Sequence, residues 1–200
     1  MRMMLAFFAL ACGLVAFAGD IGTLRNELES MFEADQSLRR EIREVEERDG
    51  PDSGTAEAMW AKQAALDEAN IKRLLEIIDE HGWPRASVVG DRAAMAAFLV
   101  VQHAEPTLQK RMLPILREEA SRGEVKMSRL ALLEDRVLTS DGKPQIYGSQ
   151  LRRNPETGKL EFFPIKDPES VNARRASVGL EPIEVYARRF GLEYSPANDG

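Results

Sequence analysis

The chain has 200 residues, 44% of them hydrophobic and 30% charged, so it is long enough to bury the core of one domain without staples. Its formal net charge of −6 argues against a nucleic acid partner, because binding to phosphates needs a basic surface. Its single cysteine, Cys12, excludes an intramolecular disulfide.

The first 18 residues have the features of an export signal. Arg2 gives a basic start, an apolar run follows, and Ala16 and Ala18 match the A-x-A pattern of a cleavage site. The run is shorter than the roughly 20 residues of a membrane span, and no second such run follows. We therefore expect residues 1–18 to be removed and the mature chain to be soluble, in the periplasm or outside the cell. A lipoprotein anchored at Cys12 is the second interpretation.

Two long amphipathic helices are predicted next. The first runs from Thr23 to about Arg48 and the second from about Thr55 to His81, and each has an apolar stripe at spacings of three and four with one gap. Asp35 fills the first gap and Asp67 the second. A buried carboxylate needs a partner, since its uncompensated burial is costly. The stripes contain Leu24, Leu28, Met31, Leu38, Ile42 and Val45, and then Trp60, Ala64, Ile71, Leu74 and Ile78.

The rest of the chain predicts shorter elements. Proline and glycine positions and apolar spacing indicate helices near residues 91–104, 106–122 and 126–138, a β-hairpin near residues 145–165, and two short helices after Asp167 and Pro182. The fold class is therefore mainly α: about five core helices with an inserted β-hairpin and two short C-terminal helices. No repeat or linker divides residues 19–200, so we predict one domain there.

The hairpin carries an unusual number of polar side chains. A glycine inside a strand often marks a bulge, and a bulge at Gly148 would bring Gln145, Tyr147 and Gln150 to one face. Asp135 and Arg136, just before the turn, would join this cluster. The arginine pairs at residues 174–175 and 188–189 could meet an anion, but most such pairs are solvated helix faces, which is the interpretation we favour.

Several short motifs resemble an uncharacterised bacterial family, a domain of unknown function. They occur in one order over nearly all of the mature chain. Family members usually have a longer acidic, histidine-containing stretch after the "QHA" motif, where this chain has "EPT". The resemblance implies no activity. The matching pieces are Asp35, "LDEAN" at 66–70, "HGWP" at 81–84 with "SVVG" at 87–90, "QHA" at 102–104 followed by Gln109, "LEDRV" at 133–137, "PQIYGSQ" at 144–150, and "RRASVGL" at 174–180 with Tyr186.

Two chemical roles are open to the histidine of the third helix. His103 could act as a general base near neutral pH, with Asp135 or Asp67 assisting proton transfer, or it could be a core-edge histidine bound to a carboxylate. A metal site built from Asp35, Asp67, His103 and Asp135 is an alternative, but the E-x-x-H and H-E-x-x-H spacings are absent. We therefore assign no metal ligand, and the sequence names no cofactor.

These residues together suggest a polar pocket between the helices and the hairpin. We expect it to bind a small polar ligand or a peptide end. His103 and Asp135 are the predicted catalytic residues. The alternative is a non-enzymatic cell-envelope interaction or scaffold domain; the sequence defines no oligomeric state. The predicted ligand-binding residues are Asp35, Asp67, Gln102, Arg136, Gln145, Tyr147 and Gln150.

Overall fold

The computed structural model describes the backbone of residues 8–195 and the side chains of residues 21–195. The predicted signal peptide, its cleavage site and Cys12 therefore lie outside the residues whose side chains are described. The fold is mainly helical, with 69% of residues in helices, a small two-stranded hairpin and short C-terminal helices, so the predicted fold class is confirmed. Among the described residues, no helix is both long and apolar enough to cross a membrane.

The chain divides into two compact units, which we call the first unit (up to Ala104) and the second unit (from Glu105). The prediction of one domain over residues 19–200 stays a prediction. The elements in chain order are α1 (Phe8–Asp49), α2 (Gly54–His81), α3 (Ala86–Val89), α4 (Asp91–His103), α5 (Pro106–Ser121), α6 (Met127–Ser140), β1 (Leu151–Arg153), β2 (Leu160–Phe162), α7 (Val171–Ser177) and α8 (Ile183–Arg188).

The first unit is built on three mutually packed helices, α1, α2 and α4, with the one-turn helix α3 against α1 and α4. Helix α1 extends N-terminal to the predicted Thr23, as far as Phe8, the first residue whose backbone is described, and no proline in that stretch interrupts it. Its buried residues include Leu28, Asp35 and Ile42, which confirms both the predicted stripe and its carboxylate.

The predicted stripe of α2 is wrong in part. Trp60 is 43% exposed, and its indole N–H donates to Glu46 on α1. The buried face of α2 instead includes Gln63 and Asn70, two polar residues outside the predicted stripe. Buried polar side chains need hydrogen-bond partners. The side-chain amide of Gln63 donates to the carboxylates of Asp35 and Asp67 in the same unit.

In the second unit, helices α5 and α6 pack against each other, and the hairpin leads into a small core. Strands β1 and β2 are antiparallel, with Arg152 opposite Glu161. The core brings together Ile165, Val171 and Ile183, with Phe162 and Tyr194 packed against it.

The prediction of a strand through Gln145 to Arg153 is wrong for its first half. Residues 145–150 form an irregular loop, which we call the YGS loop, and β1 begins only at Leu151. Gln145 makes one isolated parallel bridge to Ile165. The physical reason is that the side chains of Asp135 and Gln145 accept backbone N–H groups of this segment, which in a strand would bond to the backbone of a neighbouring strand.

Candidate functional site

Asp135 of α6 binds the N–H groups of the YGS loop. One carboxylate oxygen accepts the N–H of Ile146 at 2.7 Å and that of Tyr147 at 3.0 Å, and the other accepts the N–H of Ser149 at 3.0 Å. Asp135 has no solvent exposure. Burial raises the pKa of its carboxyl, while the three N–H donors act in the opposite direction. Asp135 is therefore committed to holding the loop.

Gln145 closes the same loop from within. Its side-chain amide donates to the carbonyls of Gln150 and Phe163, and its side-chain oxygen accepts the N–H of Gln150 at 2.8 Å. Gln145 is completely buried. The side-chain amide of Gln145 thus makes the hydrogen bonds that the backbone of a neighbouring strand would make. It contacts backbone groups and does not face solvent.

Helix α7 binds the carbonyl groups of the YGS loop. Arg174 donates from Nε to the carbonyl of Ile146 at 2.8 Å. Arg175 donates from Nη1 to the carbonyls of Tyr147 and Gly148, and from Nε to the carbonyl of Glu181. The loop is therefore held by a carboxylate on its amides and by guanidinium groups on its carbonyls.

The sequence interpretation of Arg175 as part of a solvated helix face is wrong, because only 1% of this residue is exposed. Its guanidinium carbon lies 5.0 Å from the ring centre of Tyr186, whose hydroxyl donates to the carbonyl of Ser149. Burial lowers the pKa of Arg175. Helical spacing could have placed Arg175 on the face shared with Val171 and Val178, which are also buried.

A cavity of about 390 Å³ lies beside this arginine in the second unit. Its wall includes Ser128 near the start of α6, Ser149 of the YGS loop, Tyr186 and Arg189. Arg175 lines it as well, and its hydrogen bonds to described residues use Nε and Nη1 but not Nη2. Nη2 is thus the guanidinium nitrogen of Arg175 without a hydrogen bond to a described residue.

The first unit holds a separate polar cluster around His103. Its Nδ1 lies 3.8 Å from a carboxylate oxygen of Asp35. Arg39 joins the two predicted carboxylates: its Nε donates to Asp35 at 2.8 Å and its Nη2 to both oxygens of Asp67 at 3.0 Å. Gln63 donates to the same pair. The carboxylates of α1 and α2 are therefore linked through shared donors.

Asp35 is the ionised centre of this cluster. Burial acts to raise its pKa, but the contacts from His103, Gln36 and Arg39 outweigh burial and lower the pKa from 3.8 to about 2. A carboxylate oxygen of Asp35, one of Asp67 and an imidazole nitrogen of His103 all lie within 4.8 Å of one another, a spacing that a metal ion could bridge. The guanidinium of Arg39 already supplies positive charge to both carboxylates, so a metal ion would have to compete with it. We therefore propose no metal site there.

The predicted site residues fall into two groups. Asp35, Asp67, Gln102 and His103 belong to the first unit, and Asp35, Asp67 and His103 lie in the cluster described above. Asp135, Arg136, Gln145, Tyr147 and Gln150 belong to the second unit, where Asp135 and Gln145 bind loop backbone. Gln102 and Arg136 are half-buried. A single pocket that holds both His103 and Asp135 stays a prediction.

Residues 22–195 match a protein family described as a family of unknown function, DUF6624. The chain belongs to this family. The resemblance inferred from the sequence motifs is thereby confirmed at the level of the family. No curated protein and no solved structure shows significant similarity to the chain.

Proposed function

We propose that this DUF6624 protein is an exported domain that binds a small polar molecule or a peptide end in the cavity of the second unit. The observation that carries the proposal is Arg175, a buried cation with Nη2 left unused beside a cavity of about 390 Å³. Ligand sites combine such a cavity with a few fixed polar groups. Export is supported by the basic start at Arg2, the apolar run and the A-x-A pattern ending at Ala18.

The hydrogen bonds of Arg175 support binding because they fix the donor before a ligand arrives. Nε and Nη1 are each held by backbone carbonyls, and the ring of Tyr186 lies over the guanidinium. A side chain that is already immobile loses little conformational entropy on binding. The YGS loop thereby supports the site, because its backbone carbonyls hold Arg175 and its Ser149 lines the cavity.

The test blocks the cavity and measures binding to the full chain. Ser128→Trp places a large side chain in the cavity wall, and Met127→Trp is the matched control, since Met127 is 45% exposed and is not among the residues lining the cavity. Backbone amide shifts of Ser149 and Gly179 report binding of glucose, glycine, lactate or N-acetyl-Ala-Ala. We expect at least one compound to shift them in wild type and in Met127→Trp, but not in Ser128→Trp.

The opposite outcome supports a scaffold domain. If no compound shifts these amides, or if Ser128→Trp and Met127→Trp bind equally, the cavity is not a ligand site. The scaffold interpretation is favoured by one observation: Asp135 and Gln145 are completely buried and bind loop backbone. A network of that kind stabilises a fold without any ligand.

A second candidate function is proton transfer at His103 in the first unit. Asp35 lies 3.8 Å from Nδ1 and is itself held by Arg39, so it is placed to keep the proton of a neutral imidazole on Nδ1. Nε2 would then be the proton acceptor. Asp135 is not part of this candidate, because loop amides occupy its oxygens.

The chain has two histidines, so an imidazole nitrogen spectrum contains two sets of signals and His81 serves as the internal reference. We expect the neutral imidazole of His103 to carry its proton on Nδ1, and Asp35→Asn to remove that preference. A proton on Nε2 in wild type would refute the arrangement. We also expect His103→Gln to unfold at nearly the same urea concentration as His81→Gln. A loss of more than about 2 kcal/mol would assign His103 a structural role.

A further inference from the structure

The cavity of the second unit presents hydrogen-bond donors and positive charge. We propose that the group it recognises is a carboxylate; this inference rests on the function proposed above. Nη2 of Arg175 carries two N–H groups and no acceptor, so its natural partner is an oxygen with available lone pairs. A carboxylate forms shorter and stronger hydrogen bonds with a guanidinium than a neutral carbonyl does.

The charged groups on the cavity wall leave an excess of one positive charge. Arg175 and Arg189 are cations, and Glu181 is the single anion among the lining residues. Glu181 is bound to Arg189 at 2.7 Å, and Arg189 is largely exposed. Asp135 and Glu184 add negative charge near Arg175, but the oxygens of Asp135 accept the amides of the YGS loop and those of Glu184 accept a side-chain amide. The one unit of excess charge on the lining residues themselves matches a monovalent anion.

Arg175 lacks a carboxylate partner among the described residues, although it is 99% buried. A buried cation is costly unless it is paired and hydrogen-bonded, and neutral carbonyls offset only part of that cost. The lowered pKa of Arg175 has burial as its largest cause and reflects the same cost. A carboxylate in the cavity would supply the missing counter-charge.

The start of α6 favours the same kind of ligand. Ser128 is the second residue of this 14-residue helix, and the preceding Lys126 provides no side-chain cap for the first turn. The N-terminus of a helix carries a partial positive charge, which adds to that of Arg175. A phosphate dianion fits less well, because it would require a second cation where Glu181 already neutralises Arg189.

The test compares matched ligands by calorimetry on the full chain. N-acetyl-Ala-Ala and its C-terminal amide differ only in the carboxylate, lactate represents a free small acid, and inorganic phosphate represents the competing anion. We expect the peptide acid or lactate to bind, and the amide to bind about tenfold or more weakly, as the loss of a charged hydrogen bond implies. Lactate binding without peptide binding would identify a free acid, and the reverse would identify a peptide C-terminus.

Variants at the rim of the cavity test the charge argument without disturbing the loop. Arg175 itself is unsuitable, since its replacement would also release three carbonyls. Arg189→Ala removes a cation and leaves Glu181 unpaired, so we expect acid binding to weaken about fivefold or more. Arg188→Ala is the matched control, because Arg188 is an exposed neighbour that is not among the lining residues, and binding should not change.

The outcomes separate this inference from the proposed function. If the acid and the amide bind equally, or if Arg189→Ala has no effect, the cavity binds ligands but does not select a carboxylate. If phosphate binds more tightly than both acids, the assigned ligand class is wrong. If none of these four compounds binds but glucose shifts the amides of Ser149 and Gly179, the inference fails and the proposed function stands. If glucose and glycine leave those amides unchanged as well, both fail.

Discussion

The replacement Asp135→Asn tests whether one side chain organises the YGS loop. Both carboxylate oxygens of Asp135 are used, because three backbone N–H groups share them at 2.7 to 3.1 Å. Asparagine has nearly the same shape but only one acceptor oxygen. Its amide nitrogen would therefore face the N–H of Ser149 or of Ile146, donor against donor.

The expected loss of stability follows from those contacts. One buried N–H left without an acceptor costs about 1 to 3 kcal/mol, and each remaining bond loses roughly 1 kcal/mol of charge assistance. A buried neutral amide costs less than a buried charged carboxylate, because burial opposes the ionisation of Asp135, and this difference offsets part of the loss of stability. We expect a net loss of about 3 kcal/mol for Asp135→Asn. Asp135→Ala, which releases all three N–H groups, should lose about 5 kcal/mol.

The assay is urea unfolding of the full chain, with hydrogen exchange of the loop amides as a local readout. The amides of Ile146, Tyr147 and Ser149 should lose protection in Asp135→Asn. Glu156→Gln is the matched control, because it removes an exposed carboxylate from the same unit. Equal stability of Asp135→Asn and Glu156→Gln, with protected loop amides in both, would refute the role assigned to Asp135.

Three further changes have predictable effects. The lowered pKa of Asp35 stabilises the fold above pH about 4, and this contribution of about 2 kcal/mol should be lost as the pH falls from 4 toward 2; Asp35→Asn should flatten that part of a urea midpoint against pH curve. Gly148→Ala should cost about 2 kcal/mol in urea unfolding, since Gly148 has φ +65° and a Cβ there would lie 2.5 Å from Ile183; an unchanged midpoint would contradict the loop geometry. Ser53→Ala should cost about 1 kcal/mol in the same assay, because the Ser53 hydroxyl caps α2 by accepting the N–H of Ala56, whereas Ser53→Asp should restore stability.

Much of the fold could be predicted from local signals. Helix α2 ends at His81 as expected, because Gly82 adopts a positive φ and Pro84 follows. Helix α5 begins at Pro106, a residue suited to the first helical position. The extra one-turn helix Ala86–Val89 was not predicted, since four residues are too few to show a helical period.

The candidate site was predicted less well, because the partner of a polar side chain is chosen in three dimensions. Composition identified Asp135 and Gln145 as unusual, but their partners are backbone groups that are 5 to 18 residues away in the chain. Arg175 was assigned to the surface because a charged residue on a short helix is usually exposed. Arg175 is nevertheless buried, because its guanidinium donates hydrogen bonds to three backbone carbonyls and makes a cation–π contact with the ring of Tyr186.

Local sequence signals were enough to predict the helical fold class, most helix boundaries, the carboxylate in the stripe of α1 and the resemblance to a family of unknown function. These features follow from apolar spacing, caps, breakers and short motifs, all of which act within a few residues along the chain. Three features depend on the folded arrangement: Arg39 joins Asp35 to Asp67, Asp135 and Arg175 hold opposite backbone groups of one loop, and Arg175 lines a cavity. The physical reason is that hydrogen bonds between distant segments depend on which faces become buried together, and burial is settled only when the whole unit has packed.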